Sequence, residues 1–169
     1  MNNEPPANPL GKLRLIAFDV DGVFTDGRFY LSDDGVESKS FCTQDGFGIR
    51  QLLKIGMEIA VISGRKSAAV ERRMSELGVR HVILACNDKT AAFDTLAREL
   101  GITAAEAAFV GDDIPDLPLL SKVGYSFAVA NAVSAVREYC DYTTAASGGN
   151  GAVREICDLV LAAQGEEQS

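Results

Sequence analysis

Two aspartates one residue apart close an apolar run, Leu15-Ile16-Ala17-Phe18-Asp19-Val20-Asp21-Gly22. Buried strands rarely finish on charges that close together unless a cation neutralises them. Two later apolar runs also end in polar clusters: Ser63-Gly64-Arg65, and Gly111-Asp112-Asp113 with Asp116 three residues on. Lys89 opens a helical stretch after Asn87-Asp88. Crowded carboxylates raise one another's pKa, and Mg²⁺ relieves this while also taking phosphate oxygens. The Ser63 hydroxyl and the Gly64 amide, at a strand-to-helix turn, suit a phosphate, and Lys89 supplies a mobile positive charge. Because phosphoryl transfer is mainly positioning and electrostatics, this set is close to sufficient for it. Asp19 is the candidate nucleophile, forming an aspartyl-phosphate. Asp21 is placed to protonate the leaving oxygen and then to activate water, and its backbone carbonyl can serve the metal. The plain alternative for each cluster is a polar strand end running into a turn, since Asp-Gly is a common turn dipeptide.

What decides between these readings is whether the clusters meet. Strand 1 is expected at Leu13–Val20, near-continuously apolar as a strand covered on both faces should be. Short strand-like runs, Arg28–Ser32 and Val36–Phe41, flank Asp33-Asp34-Gly35 and predict a hairpin. From Asp45 onward, helices and strands alternate. Helices are predicted over 45–55, 67–77, 88–100, 134–139 and 152–163, with one to about Lys122 after Asp116. Strands are predicted at 57–62, 82–84, 107–110 and 125–129, with an extended piece near 141–143. Thr103–Glu106 matches a capping box. Such alternation implies right-handed βαβ units, hence an α/β fold with a doubly wound parallel sheet and the hairpin as a flap. Ligands in such sheets bind at the carboxyl ends of the strands, so all three clusters project from one edge.

The length of 169 residues suits one domain, expected over 12–164 after a flexible tail over 1–11. The net charge of −8 argues against nucleic acid or an anionic membrane as partner. No stretch reaches the roughly 18 apolar residues of a membrane span. Met1–Pro9 lacks the features of a signal peptide, so a cytoplasmic location is expected. Cys42, Cys86, Cys140 and Cys157 include no C-x-x-C pair and read as reduced, mostly buried thiols. His81 reads as structural, Arg72-Arg73 as a solvated helix face, and Phe47, Phe93 and Phe109 as core.

Asp19-Val20-Asp21-Gly22-Val23, Ser63 after an apolar strand, Lys89 at a helix start and Gly111-Asp112-Asp113-x-x-Asp116 resemble the four motifs of the haloacid dehalogenase (HAD) superfamily, in order. The resemblance implies a Rossmann-like HAD fold, Asp19 as nucleophile, Asp21 as acid/base, and Ser63 and Lys89 on the phosphate. It also implies Mg²⁺ on Asp19, the Asp21 carbonyl and Asp112, with Asp113 or Asp116 as outer or additional ligand. The 41 residues between Asp21 and Ser63, and the 25 between Ser63 and Lys89, leave no room for a cap domain. The longer string Phe18–Gly27, then Asp45–Ile49, Ile62–Arg65 and Gly148–Glu155, is similar to one capless family, the 3-deoxy-D-manno-octulosonate 8-phosphate phosphatases of lipopolysaccharide biosynthesis. This implies a Mg²⁺-dependent homotetramer with the hairpin 28–41 at the interface and a neighbouring subunit over the site. It places Arg65, and with it Lys66, on the phosphate or carboxylate of the sugar acid; a solvated helix start is the plain reading of both. The alternatives are the same chemistry on a nine-carbon keto-acid phosphate (neuraminate or deoxynononate 9-phosphate), a phosphoacceptor receiver domain, and an inactive homologue acting as a binding module.

Overall fold

The computed structural model describes residues 8–167. Its sheet has six parallel strands in the order β5-β4-β1-β6-β7-β8. These are β1 (Leu15–Phe18), β4 (Glu58–Ile62), β5 (His81–Ile83), β6 (Ala107–Gly111), β7 (Tyr125–Ala128) and β8 (Tyr142–Thr143). The strands nearest the middle, β1 and β6, are buried throughout, as expected of strands sandwiched between helices. From β1 the chain winds outward through β4 and β5, then crosses back to β6 on the far side of β1. The crevice of this doubly wound sheet therefore opens between the carboxyl ends of β1 and β6.

Register places the chemistry. Phe18 pairs with Val61 and with Val110, so Asp19 leaves β1 between the ends of β4 and β6. Its amide still donates to the Val110 carbonyl at 3.0 Å. Asp112 follows the last residue of β6 directly.

Helices α1 (Thr43–Lys54) and α6 (Ala152–Glu167) pack on each other, while α3 (Lys89–Leu100) meets the short α4 (Leu117–Leu120). The remaining helices are α2 (Ala68–Leu77) and α5 (Ser134–Tyr139). Right-handed crossovers running in opposite directions put the first pair on one face of the sheet and the second on the other. α2 and α3 each end on a left-handed glycine, Gly78 and Gly101.

The hairpin is smaller than the sequence suggests. Its two strands, β2 (Tyr30–Leu31) and β3 (Glu37–Ser38), are two residues each. Tyr30, Leu31 and Val36 are 73%, 64% and 62% exposed, so nothing among the described residues covers them.

Some expectations need correction. Phe93 and Phe109 are core, but Phe47 is 53% exposed beneath the Arg154 guanidinium, 5.0 Å from its ring centroid. The buried positions of α1 include Gly46 and Gly48; a Cβ on Gly48 would lie 2.9 Å from that of Cys157 on α6. Glycines carry part of that helix face, and an apolar-periodicity reading cannot see them. Arg72 is solvated as expected, whereas Arg73 is tucked against Gly46. His81 is structural, bridging to Glu58 at 2.9 Å on the neighbouring strand. All four cysteines are free, but only Cys157 is buried. Residues 1–7 of the expected tail lie outside the described residues. Residues 8–11 form a turn, and Gln164 on α6 donates to the Leu10 and Gly11 carbonyls at 3.0 and 2.8 Å. No helix among the described residues is long and apolar enough to cross a membrane.

Candidate active site

The three strand-end clusters converge. Asp19, Asp21, Ser63, Gly64, Arg65, Lys89, Asp112, Asp113 and Asp116 line one cavity of about 410 Å³ at the carboxyl edge of the sheet. Of the residues singled out from sequence, only Lys66 stays outside this lining, exposed at the start of the turn into α2.

At its centre is an ion-paired cluster. Lys89 begins α3, whose N-cap Asp88 accepts from the Ala91 amide at 3.0 Å, and this cap aims the lysine across the strand ends. Its ammonium lies 3.0 Å from Asp19 Oδ1 and 2.7 Å from Asp116 Oδ1. Burial pushes the Lys89 pKa down, but the two carboxylates outweigh this and raise it. Asp116, 1% exposed, uses its other oxygen to accept from the Asp112 and Asp113 amides at 3.0 and 3.3 Å. That carboxylate therefore shapes the turn after β6 and holds the lysine together.

Asp19, Asp112 and Asp116 each bring an oxygen within 4.8 Å of the others. Burial, then the neighbouring Asp116 charge, raise the Asp19 carboxyl well above its ordinary range despite Lys89. Burial, then Asp19, Asp116 and Asp113, raise Asp112 further. With one ammonium among three carboxylates, two buried and Asp112 half-buried, the cluster holds more acidic groups than Lys89 can pair. An all-oxygen donor set of this kind fits a hard divalent cation. Asp113 stands apart: it caps the turn by accepting from the Ile114 amide at 2.7 Å and is not one of the three.

The loop after β1 is shaped by close approach. Gly22 has φ of +88°, and a Cβ there would lie 2.0 Å from Asp112 Oδ2. Thr25 Oγ1 accepts from the Gly22 and Gly27 amides at 3.2 and 3.1 Å, which closes the turn. Sequence reasoning missed the strut behind it. Asn131, just beyond β7, donates to the Gly22 carbonyl at 3.0 Å and accepts from the Gly148 amide at 2.6 Å. Gly148 itself is pressed so close that a Cβ would fall 1.8 Å from the Gly22 oxygen.

Ser63 directly follows β4, with its amide on the Ile83 carbonyl at 2.9 Å and its hydroxyl at the cavity. Arg65 and Asp21 each meet the hairpin: Arg65 pairs with Glu37 and Asp21 with Lys39, both at 2.5 Å. These hairpin charges were also missed. Their spacing, two residues apart on an extended strand, is the signal that puts both on one face.

The arrangement can hold a cation, cradle a phosphoryl group between Ser63 and Lys89, and present Asp19 to it. Comparison with known proteins agrees with that chemistry. The haloacid dehalogenase-like hydrolase family profile matches residues 87–156. The 3-deoxy-D-manno-octulosonate 8-phosphate phosphatase of Escherichia coli K12 is 46% identical over 132 residues, 78% of this chain and 70% of that protein. Its Moraxella catarrhalis counterpart, crystallised with magnesium, phosphate and KDO, superposes with a TM-score of 0.91 at 41% identity, covering 95% of this chain and 92% of that one. The Yersinia pestis phosphatase gives a TM-score of 0.92 at 38% identity, over 95% and 87% of the two chains. The chain thus belongs to the 3-deoxy-D-manno-octulosonate 8-phosphate phosphatase family of haloacid dehalogenase-like hydrolases.

Proposed function

We propose that this protein hydrolyses 3-deoxy-D-manno-octulosonate 8-phosphate (KDO 8-phosphate) to KDO and phosphate, serving lipopolysaccharide synthesis. One observation carries the reading: Asp19 and Asp21 share a cavity with Ser63, Lys89 and the Asp112 cluster, in a chain of this family. Asp19 attacks phosphorus, displacing the sugar oxygen and forming an aspartyl-phosphate. Asp21 protonates the leaving oxygen, then takes a proton from the water that cleaves the acyl phosphate. Ser63 and the Gly64 amide bind the phosphoryl oxygens, and Lys89 compensates their charge. Arg65, at the cavity mouth, meets the carboxylate of the sugar acid.

Asp19, the Asp21 carbonyl and Asp112 would hold Mg²⁺, with Asp116 as the outer member of the cluster. The relative crystallised with magnesium and the oxygen-only donor set here support this choice. When bound, the ion neutralises the carboxylates and the charge that develops on the phosphoryl group. Asp113 serves the turn as a cap.

The described residues include no cap domain, and the uncovered Tyr30, Leu31 and Val36 of the hairpin suit contact with further copies of this chain in a homotetramer. We place the enzyme in the cytoplasm, as a single domain over residues 12–164.

A panel of phosphate esters tests the substrate. The keto-acid KDO 8-phosphate is expected to be preferred over the nine-carbon neuraminate and deoxynononate 9-phosphates. Equal turnover of all three would remove the assignment.

A further inference from the structure

The hairpin meets the site through charges. Lys39 has no exposed side-chain surface; its ammonium is 2.5 Å from Asp21 Oδ1 and 3.4 Å from Glu37 Oε1. The other Glu37 oxygen accepts from Arg65 Nη2 at 2.5 Å. Phe29, at the base of the hairpin, lies beneath that guanidinium with its ring centroid 4.3 Å away. A row of alternating charge, Asp21–Lys39–Glu37–Arg65, therefore runs from the acid/base aspartate to the arginine at the cavity mouth.

Two cations line the cavity, Lys89 and Arg65. Lys89 is committed to Asp19 and Asp116, which leaves Arg65 as the cation that a leaving group can win. Arg65 is already occupied by a carboxylate of the protein itself. Burial pushes the Glu37 carboxyl up, but Arg65 and Lys39 outweigh this and hold it below its ordinary range, so it competes as an anion.

We propose that Glu37 is a specificity-determining residue: its carboxylate occupies Arg65 until a leaving group bearing a carboxylate of its own takes that place. The proposal rests on the reading of Arg65 given above. A neutral leaving group offers the arginine nothing in exchange for a charge-assisted hydrogen bond, and Glu37 stays where it is. A carboxylate offers the guanidinium an equivalent partner, while the displaced Glu37 retains Lys39 beside it. Selection then comes from a difference between substrates, set by an internal competitor. Glu37 does not line the cavity, and it acts through Arg65.

The test compares the wild type with Glu37→Gln, which keeps the shape and removes the charge. Two esters serve as probes: KDO 8-phosphate, and p-nitrophenyl phosphate as an ester without a carboxylate. A partly exposed ion pair is worth little, so removing the competitor is expected to lower KM for the keto-acid ester by about threefold, with kcat retained. The ratio of kcat/KM for the keto acid over the nitrophenyl ester rises by the same factor. In an Arg65→Gln background that ratio does not respond to Glu37→Gln, because the shared partner is gone. An unchanged or higher KM for the keto acid in Glu37→Gln would overturn the proposal, since a group that binds substrate or merely shapes the hairpin gives that result. Should the wild type leave KDO 8-phosphate intact, the substrate reading fails by itself. The same comparison on 3-phosphoglycerate, an ester with a carboxylate on its leaving group, then decides the part of Glu37.

Discussion

Asp116→Asn separates the two tasks that this carboxylate performs. One oxygen holds Lys89 at 2.7 Å and the other accepts from the Asp112 and Asp113 amides. An asparagine cannot satisfy both sides. With its oxygen toward the amides, its NH₂ faces the ammonium; flipped, it leaves two amides facing a donor. Either way one charge-assisted hydrogen bond is lost at a position 1% exposed. Such a loss costs about 2–3 kcal/mol, toward 5 if the buried ammonium is left poorly compensated. In a chain of this size that corresponds to a Tm lowered by roughly 5–10 °C. With the asparagine NH₂ toward the ammonium, Lys89 is left with Asp19 alone and closes on this proposed nucleophile, so kcat is expected to fall about 100-fold, the rate equivalent of ~3 kcal/mol. Thermal melts and steady-state phosphate release measure the two effects on one preparation. Raising Mg²⁺ does not restore kcat, because the proposed direct ligands Asp19, the Asp21 carbonyl and Asp112 remain. Wild-type Tm and kcat in the variant, or full rescue by excess Mg²⁺, would refute the reasoning.

Other positions give independent checks. Gly148→Ala drives a methyl group into the Gly22 carbonyl, 1.8 Å from the Cβ position, and is expected to lower kcat at least tenfold by displacing the loop that carries Asp21; activity within twofold of wild type would contradict that account. Asp45 on α1 accepts from the Arg154 amide at 3.0 Å, and burial raises its carboxyl to about 6 despite that bond. Because its folded-state pKa lies above the unfolded one, the folded protein holds the proton between about pH 4 and 6 and loses stability as pH rises through that window, by at most ~3 kcal/mol. Asp45→Asn is therefore expected to flatten the fall in denaturant midpoint between pH 4 and 7; an identical slope in both proteins would show that the carboxyl carries no such penalty. Leu31→Asp, on the exposed side of the hairpin, is expected to shift the mass seen by light scattering from that of the proposed tetramer toward monomer; an unchanged mass would remove the hairpin from the interface.

Most of the site was legible because it obeys a rule about chain direction. A strand that is apolar through Phe18 and turns charged at Asp19 announces its carboxyl end, and so do Ser63 and Asp112. In a parallel sheet all such ends share one edge. What stayed hidden depends on contacts between segments distant in sequence. Asn131 looks like any loop polar residue until β7 brings it beside Gly22, which is 109 positions away along the chain. Glu37 and Lys39 are placed by the sequence only within a strand-like run of the hairpin, yet the lysine side chain has no exposed surface. Phe47 was misplaced for a local reason, since Gly46 and Gly48 supply part of the buried face of α1 and carry no apolar side chain to mark it. The open choice between Asp113 and Asp116 is one that a motif of three identical aspartates cannot resolve. Geometry favours Asp116, buried on Lys89, over Asp113, which caps a turn.

The central claim is that Asp19 attacks phosphorus, and one measurement addresses it directly. Phosphate release from KDO 8-phosphate is followed with Mg²⁺ present for the wild type and Asp19→Asn, with acid-quenched samples assayed for protein-bound phosphate. The account predicts steady release and a trapped aspartyl-phosphate in the wild type, and loss of both in Asp19→Asn. Undiminished turnover by Asp19→Asn would contradict it.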